Sequence, residues 1–332
     1  MKKSILLLVG VLLLAAVLTG CATSVTVTVE RPAELDLNGA KTVGMLPFQS
    51  KPSSSTGGSR NAVIVLMDFF GYRNMFYDQD DEDRQQLADL LTRKLQERLS
   101  NSQYLELVDS NTVQYAISAG NKAPCDVYLT GAISRFETSV ESVLRTRHYA
   151  DATIDVTCYY RVINLEVMYQ VVDAVTNKVI SLKTVPLELQ SRETEERNAV
   201  DSVYNLGRPA FEDLVETIMR QLQPYTVKKT LVLLSDPHDD PEMKYADDIV
   251  KSGEVEYGES LFEDIYVRYG YMEAGYNAAI LLEALGDLEG ARNLMQEVYD
   301  IYKDSRALRT LDDIKAEIES AKKLEYQNEI RK

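Results

Sequence analysis

The 332-residue chain has no tryptophan, only two histidines and three cysteines, and fewer basic than acidic side chains, 36 against 52. The net charge of −16 argues against a nucleic-acid partner and against electrostatic binding to anionic lipid. The two histidines, His148 and His238, lie in separate regions, and no zinc-ligand spacing, phosphate-binding loop or nucleophile-elbow motif occurs in the sequence. We therefore expect neither an enzyme nor a bound metal or cofactor.

The first apolar run occupies residues 5–18, directly after Lys2 and Lys3, and ends in LTGC, which closes at Cys21. The run is shorter than the roughly 20 residues of a membrane-spanning helix. This layout resembles a bacterial lipoprotein signal peptide, which implies removal of residues 1–20 and acylation of Cys21. Ala22, where aspartate would favour inner-membrane retention, suggests the outer membrane, on its periplasmic face. The alternative is a plain cleaved signal with an incidental cysteine.

Two cysteines, Cys125 and Cys158, remain if Cys21 is acylated. The segments beginning near residues 126 and 152 have the pattern of a hairpin that turns near Arg147. In such a hairpin Cys125 lies opposite Met168, about 33 Å from Cys158, because each strand residue spans about 3.3 Å. That separation exceeds the reach of a disulfide. We expect free thiols, although a different strand order would leave pairing open.

Residues 41–225 show alternating strand and helix patterns that predict an α/β domain with a mixed sheet and flanking helices. A strand pattern in residues 25–29, VTVTV, predicts a short tether or strand within residues 21–40. Pro209 suits the first turn of the last predicted helix. The predicted strands are 42–48, 104–108, 126–133, 161–173 and 179–189, and the predicted helices are 83–99, 111–119 and 209–222.

Several of these segments carry a family resemblance: TVGMLPF, YLELVDS, DVYLTGAI and DAVTNKVI. They look like the periplasmic domain shared by curli-secretion-channel-like lipoproteins, activator lipoproteins of penicillin-binding proteins and the amino-terminal domain of TolB. The resemblance covers residues 41–225 and consists of strand and turn patterns more than fixed catalytic residues. It therefore implies a fold more than a function.

The carboxy-terminal part matches itself when it is shifted by about one tetratricopeptide period, which predicts tetratricopeptide-like helix pairs over residues 243–332. A third helical stripe from Ala307 to Ala321 predicts a capping helix. The sequence SDPHDDPE predicts a linker over residues 226–242. The whole chain is similar to a family of uncharacterised bacterial lipoproteins with such a carboxy-terminal segment. The matching pairs include Ala246 with Ala279, Gly253 with Gly286, Phe262 with Met295 and Tyr266 with Tyr299.

Arrays of this kind bind peptides or partner helices on a concave face lined by the inner helix of each pair. Helical-wheel placement predicts a partner-binding face with tyrosine and asparagine suited to adaptable contacts. The alternative is that the α/β domain covers this face. The predicted face consists of Tyr245, Asp248, Tyr276, Asn277 and Ile280.

Two other segments each allow two interpretations. Residues 62–70, AVIVLMDFF, are either a buried core element or an element that contacts a partner or the membrane, and their lack of alternation favours the core. The acidic residues 80–83 suit a helix amino terminus, and they lack the glycine and distal glutamate of a calcium loop.

These patterns predict a non-enzymatic lipoprotein that acts as a protein-binding adaptor in envelope assembly or export. Its expected partners are a protein, through the tetratricopeptide face, and the bilayer, through acylated Cys21. Two alternatives follow from the family resemblance. One is a component of an oligomeric curli-type export channel, and the other is an activator of a cell-wall synthase.

Overall fold

The computed structural model describes residues 23–50, 81–148 and 153–331. Cys21 and the apolar segment 62–70 lie outside the described residues. The chain divides into two compact units. We call residues 33–224 with 327–331 the α/β unit, and residues 23–32 with 225–326 the helical unit.

The described elements alternate between strands and helices until the chain becomes entirely helical. In chain order they are β1 (Ser24–Arg31), β2 (Thr42–Met45), α1 (Asp81–Ser100), β3 (Glu106–Leu107), α2 (Ser110–Ser118), β4 (Val127–His148), β5 (Thr153–Asp173), β6 (Val179–Gln190), α3 (Val203–Leu222), β7 (Tyr225–Val232), α4 (Pro241–Lys251), α5 (Val255–Tyr269), α6 (Met272–Leu285), α7 (Leu288–Tyr302) and α8 (Ser305–Arg331).

The described part of the α/β unit contains a five-stranded mixed sheet in the order β3-β2-β4-β5-β6. β2 pairs in parallel with β3 and β4, whereas β4, β5 and β6 form antiparallel pairs. Leucines at helical spacing bury one stripe of α1, and Phe211, Leu214, Ile218 and Leu222 do the same on α3. Both stripes belong to one apolar cluster with the sheet, so the predicted α/β fold class is confirmed.

The β4–β5 hairpin is longer than the pattern predicted. Its ladder runs from the pair Val127↔Asp173 to the pair His148↔Thr153. The first eight residues of β4 are buried, and the residues after 136 are mostly exposed. The outer half is therefore an arm held by backbone pairing and side-chain ion pairs, including Arg145–Glu193, more than by core packing.

This register corrects the predicted position of the cysteines. Met168 pairs with Ala132 rather than lying opposite Cys125, and Cys158 pairs with Val143. Both Cys125 and Cys158 are buried free thiols, in agreement with the expectation drawn from their spacing.

Pro209 lies inside α3 and not in its first turn, because α3 begins six residues earlier at Val203. Ser202 caps this helix by accepting a hydrogen bond from the Asn205 amide. The acidic residues at the amino terminus of α1 agree with the capping interpretation, since Asp81, Glu82 and Asp83 occupy the first turn of this helix.

In the helical unit, β1 and β7 pair as an antiparallel ribbon, which we call the β ribbon. β7 lies largely within residues 226–242, where the sequence predicted a linker. The physical reason is an alternation that the prediction overlooked: Thr226, Lys228 and Thr230 are exposed, and the residues between them face inward. On β1 the partly buried Val25 and Val27 pack against the core of the helical unit.

Among the described residues, five helices follow the β ribbon, and the predicted helical carboxy-terminal region is confirmed. Gly253 and Gly286 occupy equivalent positions of the predicted repeat, and each follows a helix with a positive φ, of 95° and 89°. Positive φ is accessible to glycine at little cost, which explains why both helix–helix turns use it. Ala278, Ala279 and Ala291 are fully buried where the helices pack closely.

The sequence of the α/β unit is inserted into that of the helical unit. The chain leaves the helical unit after Pro32 and returns at Tyr225, which pairs with Arg31 in the β ribbon. Ser24 and Val232 form the pair at the opposite end of the ribbon. Within the described parts of the chain, no helix combines the length and apolar character needed to cross a bilayer.

Candidate functional site

Three residues of the predicted partner-binding face are buried. Tyr276, Asn277 and Ile280 keep 7%, 1% and 3% of their surface exposed. The Tyr276 hydroxyl hydrogen-bonds with Thr310 Oγ1 of α8 at 2.8 Å. These three side chains therefore belong to the interior of the helical unit, which corrects their assignment to a binding face.

Asn277 has a specific structural role. Its side-chain oxygen accepts a hydrogen bond from the Leu234 amide at 2.7 Å, and its Nδ2 donates to the Leu234 carbonyl at 3.0 Å. One amide side chain thus satisfies both backbone groups of a residue that follows the β ribbon. A helical wheel could not reveal this, because the partner segment is distant in sequence.

Tyr245 and Asp248 do lie on an exposed face of α4, and the structure adds Tyr257 from α5. Tyr245 is 52% and Tyr257 48% exposed. The neighbouring Tyr257 side chain raises the pKa of Tyr245. Lys251 lies 3.6 Å from Asp248. We call Tyr245, Asp248 and Tyr257 the tyrosine face.

A second aromatic group lies at the surface between the β ribbon and α6. The rings of His238 and Tyr271 stack with centroids 4.3 Å apart, and Tyr271 stacks on Tyr269 at 5.4 Å. The Arg268 guanidinium lies 4.9 Å from the centroid of the Tyr269 ring. Glu242 accepts hydrogen bonds from Arg268 at 2.5 Å and from the Tyr269 hydroxyl at 3.2 Å. We call His238, Tyr269 and Tyr271 the aromatic stack.

The loop that carries His238 is ordered by its own carboxylates. Asp236 accepts backbone hydrogen bonds from His238 at 2.8 Å and from Asp240 at 2.5 Å. Asp240 in turn caps α4 by accepting from the Glu242 amide at 2.7 Å. The segment that the sequence marked by its proline and acid content is therefore a structured loop. Sequence reasoning missed the aromatic stack, although the tyrosines flanking Gly270 were a visible signal.

Charge is concentrated in the helical unit. Its residues 23–32 and 225–326 contain 24 acidic and 13 basic side chains, so this unit carries a net charge of −11. Acidic surfaces attract basic partners over distances of about a Debye length.

Inside the helical unit, two cations of the β ribbon face two carboxylates of the helices. Arg31 donates two hydrogen bonds to Glu317, and Lys229 Nζ lies 2.6 Å from Glu283 and 2.8 Å from Glu317. We call these four residues the ion cluster. It ties β1 and β7 to α6 and α8, so it fixes the β ribbon on the helices.

The α/β unit contains a cleft of about 650 Å³ beside the edge strand β3. Its lining includes Tyr104 and Arg331, whose guanidinium lies 5.6 Å from the ring centroid of Tyr104. Arg331 Nη2 donates to the Leu222 carbonyl at 3.3 Å, and burial lowers the pKa of Arg331. Among residues 23–50, 81–148 and 153–331, no group of three or more potential metal ligands comes together.

No family model and no curated protein matches the chain. Among solved structures, the PelC dodecamer from Paraburkholderia phytofirmans is 10% identical, with 60% of this chain and 98% of that chain covered and a TM-score of 0.26. A hypothetical protein from Chlamydia trachomatis is 14% identical, covering 54% of this chain and 95% of that chain, with a TM-score of 0.25. A minor lipoprotein from Acinetobacter baumannii is 14% identical, covering 55% and 91%, with a TM-score of 0.21. TM-scores this low do not establish a shared fold.

Proposed function

We propose that this chain is a lipoprotein anchored to the periplasmic face of the outer membrane through acylated Cys21, and that it is a non-enzymatic adaptor in envelope assembly or export. The observation that supports the adaptor role is the tyrosine face: two exposed tyrosines on the more acidic unit of the protein, of which Tyr257 raises the pKa of Tyr245. Tyrosine contributes large contact area at a low cost in conformational entropy, and it is enriched at protein interfaces.

The helix turns of the helical unit support this role. Two helix pairs, α4–α5 and α6–α7, turn at Gly253 and Gly286, and these glycines occupy equivalent positions in the repeats that the sequence predicts. Such arrays bind extended peptides or partner helices. With its net charge of −11, the helical unit selects a partner segment that carries basic residues next to groups able to pack on tyrosine.

Site-specific photocrosslinking tests the adaptor role. A photoreactive phenylalanine analogue at Tyr245 should crosslink one defined protein in intact cells, and Asp248→Lys should reduce the yield by reversing charge at that face. Tyr115 on α2 is the matched control, because it is also an exposed tyrosine but lies in the α/β unit. Equal crosslinking from Tyr115, or none from Tyr245, would refute the tyrosine face as the binding site.

The anchor has a separate test. Cys21→Ala should release the protein from membranes into the soluble fraction, because the variant lacks the acyl chains that supply the membrane affinity in this proposal. Continued tight membrane association of this variant would contradict the lipid anchor.

The mass of the detergent-extracted protein distinguishes the adaptor from its alternatives. A monomer or dimer by light scattering, after subtraction of the detergent, supports the adaptor. A closed ring of many subunits would favour the export channel instead. A stable one-to-one complex with a cell-wall synthase would favour the activator.

A further inference from the structure

The amino-terminal chain restricts which part of the molecule can face the membrane. Only three residue steps separate Cys21 from Ser24, the first residue of β1. Consecutive Cα atoms are about 3.8 Å apart, so Ser24 lies within about 11 Å of the acylated residue. This argument rests on the lipid anchor in the proposed function.

Ser24 belongs to one end of the β ribbon. It pairs with Val232, and the neighbouring Thr23 carbonyl accepts a hydrogen bond from the Leu233 amide at 2.8 Å. The opposite end, Arg31 paired with Tyr225, lies about 23 Å away at the rise of an antiparallel strand. The ribbon could therefore stand on the membrane or lie along it, and the chemistry of its surfaces decides between these orientations.

The end near Ser24 is amphipathic. Val232 is 49% exposed, and His238 follows in the next loop with its ring stacked on Tyr271. Aromatic rings with a polar atom favour the boundary between headgroups and acyl chains. We call Ser24, Val232, His238 and Tyr271 the ribbon end.

The exposed side of the ribbon itself has a different character. Thr26 and Thr28 of β1 lie beside Thr230 and Lys228 of β7, and all four side chains are exposed. Hydroxyl and ammonium groups of this kind offer no apolar surface to a bilayer. A ribbon lying flat would place this polar side, and not the aromatic stack, against the lipid.

We infer that the helical unit docks upright on the lipid surface through the ribbon end, with Val232, His238 and Tyr271 in the headgroup layer. The docking completes a two-part attachment in which the acyl chains supply the affinity and the ribbon end sets the orientation. The loop carboxylates Asp236 and Asp240 are occupied with backbone hydrogen bonds, yet they keep the surface acidic. The surface therefore fits zwitterionic headgroups, and anionic lipid weakens the docking by repulsion.

Fluorescence quenching on reconstituted full-length protein tests this orientation. Ser235→Cys in the loop after β7 and Thr226→Cys at the far end of the ribbon provide two exposed labelling sites. Cys125 and Cys158 are buried, and the unsubstituted protein measures their background labelling. The acylated protein is inserted into phosphatidylcholine vesicles that contain a lipid with a quencher on its headgroup.

We expect the label at position 235 to be quenched at least about twofold more strongly than the label at 226. The reason is that the two ends of the ribbon lie about 23 Å apart. Replacing part of the phosphatidylcholine with phosphatidylglycerol should reduce the quenching at 235. Equal quenching at both positions, stronger quenching at 226, or an increase with phosphatidylglycerol would overturn the docking inference while leaving the anchor intact.

The same labelled variants with Cys21→Ala separate the two hypotheses. We expect neither label to be quenched in this background, because the acyl chains supply the affinity. Failure of the protein with intact Cys21 to bind vesicles would overturn the anchor, and with it both the proposed function and the docking. Binding with the wrong quenching pattern overturns the docking alone.

Discussion

Replacing Glu317 should destabilise the helical unit, because this carboxylate is shared by both cations of the ion cluster. Arg31 donates two hydrogen bonds to it at 2.5 and 2.6 Å, and Lys229 donates one at 2.8 Å. The Glu317 side chain is only 11% exposed. Its removal leaves Arg31 without a carboxylate partner in the cluster, whereas Lys229 keeps Glu283.

The magnitude follows from burial and from the remaining partner. Removing one member of a fully buried ion pair costs about 3–5 kcal/mol. Arg31 and Lys229 retain 21% and 22% side-chain exposure, so solvent compensates part of this loss. We expect Glu317→Gln to lower the free energy of unfolding by about 2 kcal/mol, since the amide still accepts a hydrogen bond but carries no charge.

Urea unfolding followed by far-ultraviolet circular dichroism measures this change, because the chain has no tryptophan for a fluorescence signal. The matched control is Glu319→Gln on the same helix, where the side chain is 73% exposed and pairs with Lys322 at 3.0 Å. Its expected effect is below about 0.5 kcal/mol. Equal destabilisation by the two substitutions would refute the role of the ion cluster.

The same residue predicts a pH dependence. Burial alone would raise the pKa of Glu317, but hydrogen bonds from Arg31 and Lys229 outweigh it and hold the pKa below its usual value. A carboxylate with a depressed folded-state pKa contributes its full stability above the unfolded-state pKa, about 4.3, and this contribution is lost as the pH falls through the folded-state pKa. The difference in stability between the unsubstituted protein and Glu317→Gln should therefore shrink below about pH 4.

Three further predictions concern packing, hydrogen bonding and thiol reactivity. Gly131→Ala should cost about 2–3 kcal/mol, measured by urea unfolding, because the new Cβ would lie 2.4 Å from a ring carbon of Phe48. Asn277→Ala should cost about 2 kcal/mol by the same assay, because it leaves the amide and carbonyl of Leu234 without their side-chain partner. Cys125 should react with iodoacetamide only after unfolding at neutral pH, because burial raises its pKa to about 11.

Each of these has a control or a contrary outcome. Gly120→Ala should cost only about 1 kcal/mol, because the new Cβ meets open space and the strain arises from its φ of +74° alone. Ser252→Ala is the control for Asn277→Ala, because the Ser252 side chain makes its hydrogen bond at an exposed turn. Its loss of stability should be small. An Asn277→Ala variant as stable as Ser252→Ala would contradict the buried amide's role, and rapid alkylation of Cys125 in the folded protein would contradict its burial.

Local patterns predicted most of the elements of the α/β unit. The leucine spacing of α1 and the apolar stripe of α3 were sufficient, because a helix buries whichever side chains recur at its own period. The alternation in β5 likewise predicted its inner half. The outer hairpin arm was missed, because its exposed polar residues lack an apolar face and its strands are held mainly by pairing with each other.

The candidate site was only partly predictable. The sequence indicated the exposed Tyr245 and Asp248, but it also assigned Tyr276, Asn277 and Ile280 to the surface. A helical wheel assigns faces relative to one helix. It contains no information on which face other elements cover.

Periodicity and backbone preference within short segments were sufficient to predict the α/β and helical classes and the glycine turns. The pairing of β1 with β7, far later in the chain, and the insertion of the α/β unit between them are visible only in the three-dimensional fold. Pairing between distant strands is selected by the summed packing of both segments on a shared core, as when Val25 and Leu231 join the same apolar cluster. A short stretch of sequence contains no information on this combined packing, because the two strands are far apart in the chain.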